Sequence, residues 1–246
     1  GLGAPIAYEF LHTGTQLEIP LLGQGSPGTN VRILINGAVG GTASVPNTTG
    51  QGYYLKLVFS AAAPRRITIE TNGVPVSGVN VANGAAEIAS TGRSVPLVTM
   101  IGDSFAEGTG AAVGEGESLV LARALGLDCG LAAAGGTGMI NPGSRVAFTD
   151  PERLVDLSLT GVTSAQTGAS PADPRLGIVF GTMNDHGVAL AQYSPFGATL
   201  QDAIANRTHA MIDAWLAARN GRPIVFFGPT WPSGPPNNRP PLTVYA

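Results

Sequence analysis

The rhythm of apolar and polar positions changes at about residue 94. Before it, short apolar or alternating runs recur at 6–11, 16–19, 31–35, 53–59 and 66–70, each bounded by clusters of Gly, Pro and Asn. A period of two sends successive side chains to opposite faces of a strand. Arg32, Lys56, Arg66, Thr68 and Glu70, interleaved with apolar neighbours, therefore predict antiparallel sheets with one wet and one buried face. Asn36-Gly37 and Asn72-Gly73 are tight-turn pairs. Residues 1–93 read as a small all-β sandwich, jelly-roll-like, and the Ala-, Gly- and Ser-rich stretch 80–93 reads as the junction to a second domain.

From 94 to 246 strands alternate with helices. The apolar run 97–101 drives into Gly102-Asp103-Ser104, and the next good helix-forming segment begins near Glu115, with a helix over 117–125 closed by Gly126. A strand over 128–133 leads into the turn Gly135-Gly136-Thr137-Gly138. Asp150-Pro151, an N-cap and a first-turn proline, opens a helix through Leu159, and a Ser-, Thr-, Ala- and Pro-rich loop spans 161–174. A third buried strand, 175–180, ends in Gly181-Thr182-Met183-Asn184-Asp185. In the long helix near 196–219, Leu200, Ile204, Met211 and Trp215 form the buried stripe and His209 faces away with Asp202 and Asp213. The fourth strand is 223–228, and an irregular proline-rich tail begins at Pro229. Parallel α/β sheets place chemistry at the carboxyl ends of their strands, which makes Ser104 a candidate nucleophile. A plain Gly-Asp-Ser turn is the competing reading of the tripeptide.

Composition narrows the field. The 246 residues are 43% hydrophobic and 12% charged with net charge −3, enough apolar content for a full core and two domains. Lys56 is the sole lysine and no basic cluster exists, which argues against nucleic acid as a partner. Apolar stretches are broken well short of the ~20 residues a membrane span needs, so no membrane association is expected. Residues 1–5 show no basic region followed by an apolar core, so no signal peptide is legible. Abundant Gly, Thr, Ser and Asn with little Lys suits an extracellular, secreted or virion-associated protein. Cys129, alone in an apolar strand, reads as a small buried hydrophobe. The dispersed histidines offer no metal-ligand spacing, so neither metal nor cofactor is expected.

Gly102-Asp103-Ser104-Phe105, followed by Gly181-Thr182-Met183-Asn184-Asp185, resembles the first and third signature blocks of the GDSL/SGNH esterases and lipases. Ala134-Gly135-Gly136-Thr137-Gly138 resembles the second block. The resemblance covers about residues 95–232 and is carried mainly by the first and third blocks together. It implies a three-layer α/β/α domain, mostly parallel in its sheet, that hydrolyses acyl esters through an acyl-enzyme on Ser104. The backbone N–H of Ser104, that of Gly138 and the Asn184 amide would hold the oxyanion, with Asp103 and Gly136 in support. The glycine turn reads equally as a tight strand-to-loop bend. The sandwich resembles, in architecture only, the amino-terminal domain of some carbohydrate esterases, which points to O-acetyl groups on a polysaccharide as substrate. A catalytically inactive virion or cell-surface scaffold is the alternative.

A serine nucleophile needs a base, and the family supplies it from a carboxyl-terminal Asp-x-x-His block. That block is absent from this chain, whose histidines are His12, His186 and His209. The expectation is that the final segment, cleaved or not included, supplies Asp and His. The competing base is His186, beside Asp185 at the same sheet edge.

Overall fold

The structure, a computed structural model, describes residues 5–23, 30–45, 48–82, 84, 87–89, 91, 97–158, 174–181 and 183–227. They form two compact units: those within 2–94 and 110–120 make one, and those within 95–109 and 121–246 the other.

The first unit is built from β1 (Pro5–His12), β2 (Gln16–Leu22), β3 (Val31–Ile35), β4 (Ala38–Ala43), β5 (Gly52–Val58), β6 (Arg65–Asn72), β7 (Asn80–Val81) and β8 (Ile88–Ala89). They pair antiparallel in a five-stranded sheet, β4-β3-β6-β1-β8, and a three-stranded sheet, β5-β2-β7. Phe10, Val31, Ile33, Ile67 and Ile69 of one sheet share a core with Leu17, Ile19 and Leu21 of the other. The period-two pattern predicted five of these strands. It did not predict β4, whose two glycines weaken the strand signal. β4 forms because Asn36 and Gly37 take the positive φ values (53° and 86°) that turn the chain back onto β3. The stretch read as a junction also contains β7 and β8, each hydrogen-bonded into a sheet.

Glu70 corrects the wet-face expectation. It lies opposite the core-facing Ile69 along β6, as the alternation requires, yet it is buried. Its Oε2 accepts from Arg32 Nε at 2.6 Å, while Arg32 Nη2 donates to the Gly114 carbonyl at 2.9 Å. Segment 110–120 thus covers that end of the sheet, a contact no local pattern encodes.

The second unit holds β9 (Leu97–Gly102), α1 (Ser104–Glu107), α2 (Glu117–Leu125, which begins in the first unit), β10 (Asp128–Ala133), α3 (Pro151–Ser158), β11 (Leu176–Phe180), α4 (Leu190–Tyr193), α5 (Leu200–Ala218) and β12 (Ile224–Phe227). All four strands are parallel, in the order β10-β9-β11-β12. Neighbours along one strand enter different cores. Val98, Met100 and Ile178 pack with Ala122, whereas Ile101, Ala132 and Val179 pack with Phe148, Ala203, Met211 and Trp215. Burial on both faces explains why these strands read as continuous apolar runs.

Helix ends follow local chemistry. Gly126 closes α2 at φ 66°, with Leu127 N–H on the Ala122 carbonyl at 2.9 Å. Asp150 Oδ1 accepts from Glu152 N–H at 3.0 Å and opens α3. α5 starts later than the expected 196, because Thr199 and Asp202 form a reciprocal cap. Its buried residues are Ala203, Thr208, Met211 and Trp215, with Leu200 and Ile204 half-buried. Leu159, the loop 161–173, Thr182 and the tail from 228 onward lie outside the described residues, as do 92 and 93 at the expected junction. Among the described residues no helix is long and apolar enough to cross a membrane.

Candidate active site

β9 delivers Ser104. A side chain at Gly102 would place its Cβ 2.4 Å from Ala106 Cβ and 3.2 Å from Phe180 Cβ, so only glycine permits the tight turn out of the strand. Asp103 then adopts an extended conformation (φ −95°, ψ −153°), and its Oδ1 accepts from Phe105 N–H at 2.9 Å. This cap starts a single helical turn at Ser104, where the sequence reading expected helix only near Glu115. One turn shows no periodicity, so the cap residue was the only available signal. Gly108 ends the turn at φ 91°. Ser104 is half-buried, its N–H is one of the unshared donors of a helix start, and no described residue hydrogen-bonds its hydroxyl.

The loops after β10 and β11 are fastened together by Asp185 and Asn184. The buried Asp185 carboxylate accepts three consecutive backbone N–H groups, from Met139 (2.8 Å), Ile140 (2.9 Å) and Asn141 (2.9 Å). Burial pushes its pKa up, and the three N–H bonds pull against that rise. Asn184 Nδ2 donates to Asp103 Oδ2 and to the Thr137 carbonyl, each at 3.0 Å, while the Asn184 carbonyl accepts from Asn141 Nδ2 at 2.7 Å. Both partners of Nδ2 are pure acceptors, which fixes the orientation of the amide. The ends of three parallel strands therefore meet around the residue preceding Ser104.

Ser104, Asp103 and Asn184 are thus brought together, and the second loop joins them through Thr137. Gly138 has two commitments of its own. Its N–H donates to the Asn141 carbonyl at 2.8 Å, and a Cβ there would lie 2.4 Å from Asp185 Oδ1. Gly136 turns with φ 73°. The glycine lying against Ser104 is Gly135, where a Cβ would stand 3.8 Å from Ser104 Cβ and 3.5 Å from Glu107 Oε2. Sequence reasoning placed Gly135 in the glycine turn but singled out Gly138, and it passed over the buried Glu107. The signal for Glu107 was its place three residues after Ser104, on the same side of a helical turn.

His186 is exposed although Asp185 beside it is buried. His209 is exposed on α5, and His12 is buried in the all-β unit. No histidine hydrogen-bonds Ser104 among the described residues. Cys129 is half-buried, and burial, then the Asp128 carboxylate, pushes its thiol up to about 12, so it stays protonated and unreactive at neutral pH. No group of three or more His, Cys, Asp or Glu side chains gathers as metal ligands among the described residues.

The parallel sheet belongs to a chain whose fold is that of solved SGNH-type carbohydrate esterases of family two. The solved structures that share it include one from Cellvibrio japonicus, with TM-score 0.65 and 17% identity over 94% of this chain and 72% of the other. An enzyme of the same family from Clostridium thermocellum, solved in complex with cellohexaose, gives 0.63 and 15% over 91% and 70%. An acetyl xylan esterase from the rumen bacterium Butyrivibrio proteoclasticus gives 0.60 and 16% over 89% and 71%. At these identities the likeness is one of fold. No family model and no curated protein matches the sequence.

Proposed function

We propose that the chain is a serine esterase that removes O-acetyl groups from a carbohydrate, working outside the cell. In this reading residues 94–246 form a three-layer α/β/α hydrolase domain, and residues 1–93 form a jelly-roll-like sandwich. The observation that carries the proposal is the Asn184 amide, which ties the loops of β10 and β11 to the carboxylate adjacent to Ser104. A turn with no chemistry would not need three strand ends locked to each other by part-buried polar bonds, since a polar group taken from water costs free energy unless it is paired. The carbohydrate substrate is supported by the fold shared with carbohydrate esterases, one of them solved with cellohexaose and another an acetyl xylan esterase.

Ser104 Oγ attacks the ester carbonyl and its proton passes to a base. The acyl–oxygen bond breaks, the sugar hydroxyl leaves with a proton, and water then releases acetate from Ser104. The Ser104 N–H is the oxyanion donor already in place. Asn184 contributes by exchanging its bond to the Thr137 carbonyl for one to the oxyanion, and Gly138 joins only by giving up its bond to Asn141. Asp103 holds Asn184 and caps the turn. The test is turnover of an acetylated xylan and of a short-chain aryl acetate with the base supplied, by a peptide bearing an Asp-x-x-His block or by imidazole. Ser104→Ala should lower kcat by at least ~10³, and Asn184→Ala by ~10² with little change in KM, because that bond strengthens only in the transition state. Undiminished turnover by Ser104→Ala would end the proposal, and no turnover by the wild type would leave an inactive scaffold with this fold.

A further inference from the structure

Among the described residues Arg153 is the one arginine with no exposed surface. It is the third residue of α3 and its guanidinium reaches the carboxyl ends of two strands. Nη2 carries two hydrogens and donates to two carbonyls, Ala132 at 2.6 Å and Gly102 at 3.2 Å. The guanidinium carbon lies 5.5 Å from the centroid of the Phe148 ring. Removing a full charge from water costs several kcal/mol, and an apolar side chain of the same length would fill the space more cheaply. What the guanidinium can do, and an apolar chain cannot, is hold two carbonyl oxygens at a set spacing.

Those two carbonyls are particular ones. Gly102 ends β9 and immediately precedes Asp103-Ser104. Ala132 stands next to the end of β10, just before Gly135–Gly138, and in register Ala132 faces Ile101 while Ala133 faces Gly102. The Gly102 carbonyl also accepts from Ala134 N–H at 3.2 Å and from Thr137 Oγ1 at 3.4 Å, so three donors converge on one oxygen. Two of the three come from the loop that lies against Ser104, and the third, from Arg153, is shared with the strand that leads into it.

We infer that Arg153 is a positioning residue for the reaction proposed above. Its Nη2 fixes the spacing between the Ser104 turn and the glycine loop, and it touches neither Ser104 nor substrate. The inference rests on the esterase reading, and the experiment separates the two. A fluorophosphonate probe is applied to the full chain in imidazole buffer, which provides an external base. Ser104 Oγ bonds to phosphorus, fluoride leaves, and the hydroxyl proton passes to imidazole. Intact-mass measurement gives the maximal labelling rate and the probe concentration for half of it, in the wild type, Ser104→Ala, Arg153→Met and Arg153→Lys. Thermal melts are recorded on each.

Arg153→Met is expected to melt cooperatively, since exchanging a buried charge for an apolar residue is often neutral or stabilising. It should label at least ~10-fold more slowly with the half-saturating concentration unchanged, because a misplacement of ~1 Å can cost ~10² in rate. Arg153→Lys, which keeps the charge and several N–H donors at nearly the same reach, should recover part of the rate. Labelling of Arg153→Met within twofold of wild type, a loss confined to the half-saturating concentration, no recovery in Arg153→Lys, or a Met variant that does not fold would each overturn the inference. Equal labelling of wild type and Ser104→Ala would instead remove the esterase reading beneath it.

Discussion

A carboxylate facing three successive backbone N–H groups makes Asp185 the peg on which the loop after β10 hangs. Asparagine at 185 would turn an amine toward donors that need an acceptor. At least one buried N–H would then lack its partner, at about 1–3 kcal/mol. Ile140 and Asn141 share Oδ1 while Met139 uses Oδ2, so an asparagine that keeps its oxygen on the shared side strands Met139. Since ~1.4 kcal/mol is a factor of ten in an equilibrium, Asp185→Asn should speed amide hydrogen exchange at Met139 by tenfold or more. Unchanged protection at Met139, Ile140 and Asn141 would show that the peg is dispensable. The sequence marked Asp185 as part of a polar strand-end block but gave no hint of this partner. The cradle is made of backbone N–H groups from residues 139–141, which any residue but proline supplies. Gly138 was legible as special, and the reason for it emerges only in three dimensions: its missing Cβ makes room for the Asp185 carboxylate.

At the scale of elements, what repeats was legible and what occurs once was not. Long apolar or alternating runs located β9, β10, β11, β12 and five strands of the all-β unit within about three residues. The two-residue strands β7 and β8, the glycine-containing edge β4 and the one-turn α1 have too few positions to show a period, and tertiary pairing alone creates them. β1 carries a consequence for pH. Its last residue, His12, is buried beside the Phe59 ring, with centroids 5.7 Å apart, and Arg65 stacks on that same ring at 3.9 Å. Burial, and then the Arg65 charge, lower the His12 pKa below 6.5, with Glu87 opposing in part. The folded unit therefore prefers the neutral ring, whereas the unfolded chain takes up a proton near 6.5. Stability is present above that pH and is lost as pH falls through it toward the folded value. The melting temperature of the all-β unit should drop between pH 7.5 and 5.5, and His12→Phe should flatten the drop. A slope as steep in the variant as in the wild type would assign the effect to other groups.

For the whole molecule, the question is where the proton on Ser104 goes. The histidines occupy three unlike settings: His12 in the core of the all-β unit, His209 on the exposed side of α5, and His186 on the exposed side of the loop that buries Asp185. None is hydrogen-bonded to Ser104, although the turn, the glycine loop and the Asn184 amide are assembled. A serine site lacking one member of its triad keeps a residual ~10³–10⁴-fold advantage over water from the oxyanion donors and binding. Residues 1–246 alone should therefore turn over an aryl acetate slowly, and His186→Ala should leave that rate unchanged. Imidazole in solution offers the missing function without altering the chain. It should raise the rate of the wild type, and of His186→Ala equally, above its direct reaction with the ester as measured with Ser104→Ala. A peptide bearing an Asp-x-x-His block should do the same at far lower concentration if it binds, because a tethered base acts at a high effective molarity. Full activity in the chain alone, abolished by His186→Ala, would identify His186 as the base and require its loop to turn inward when substrate binds.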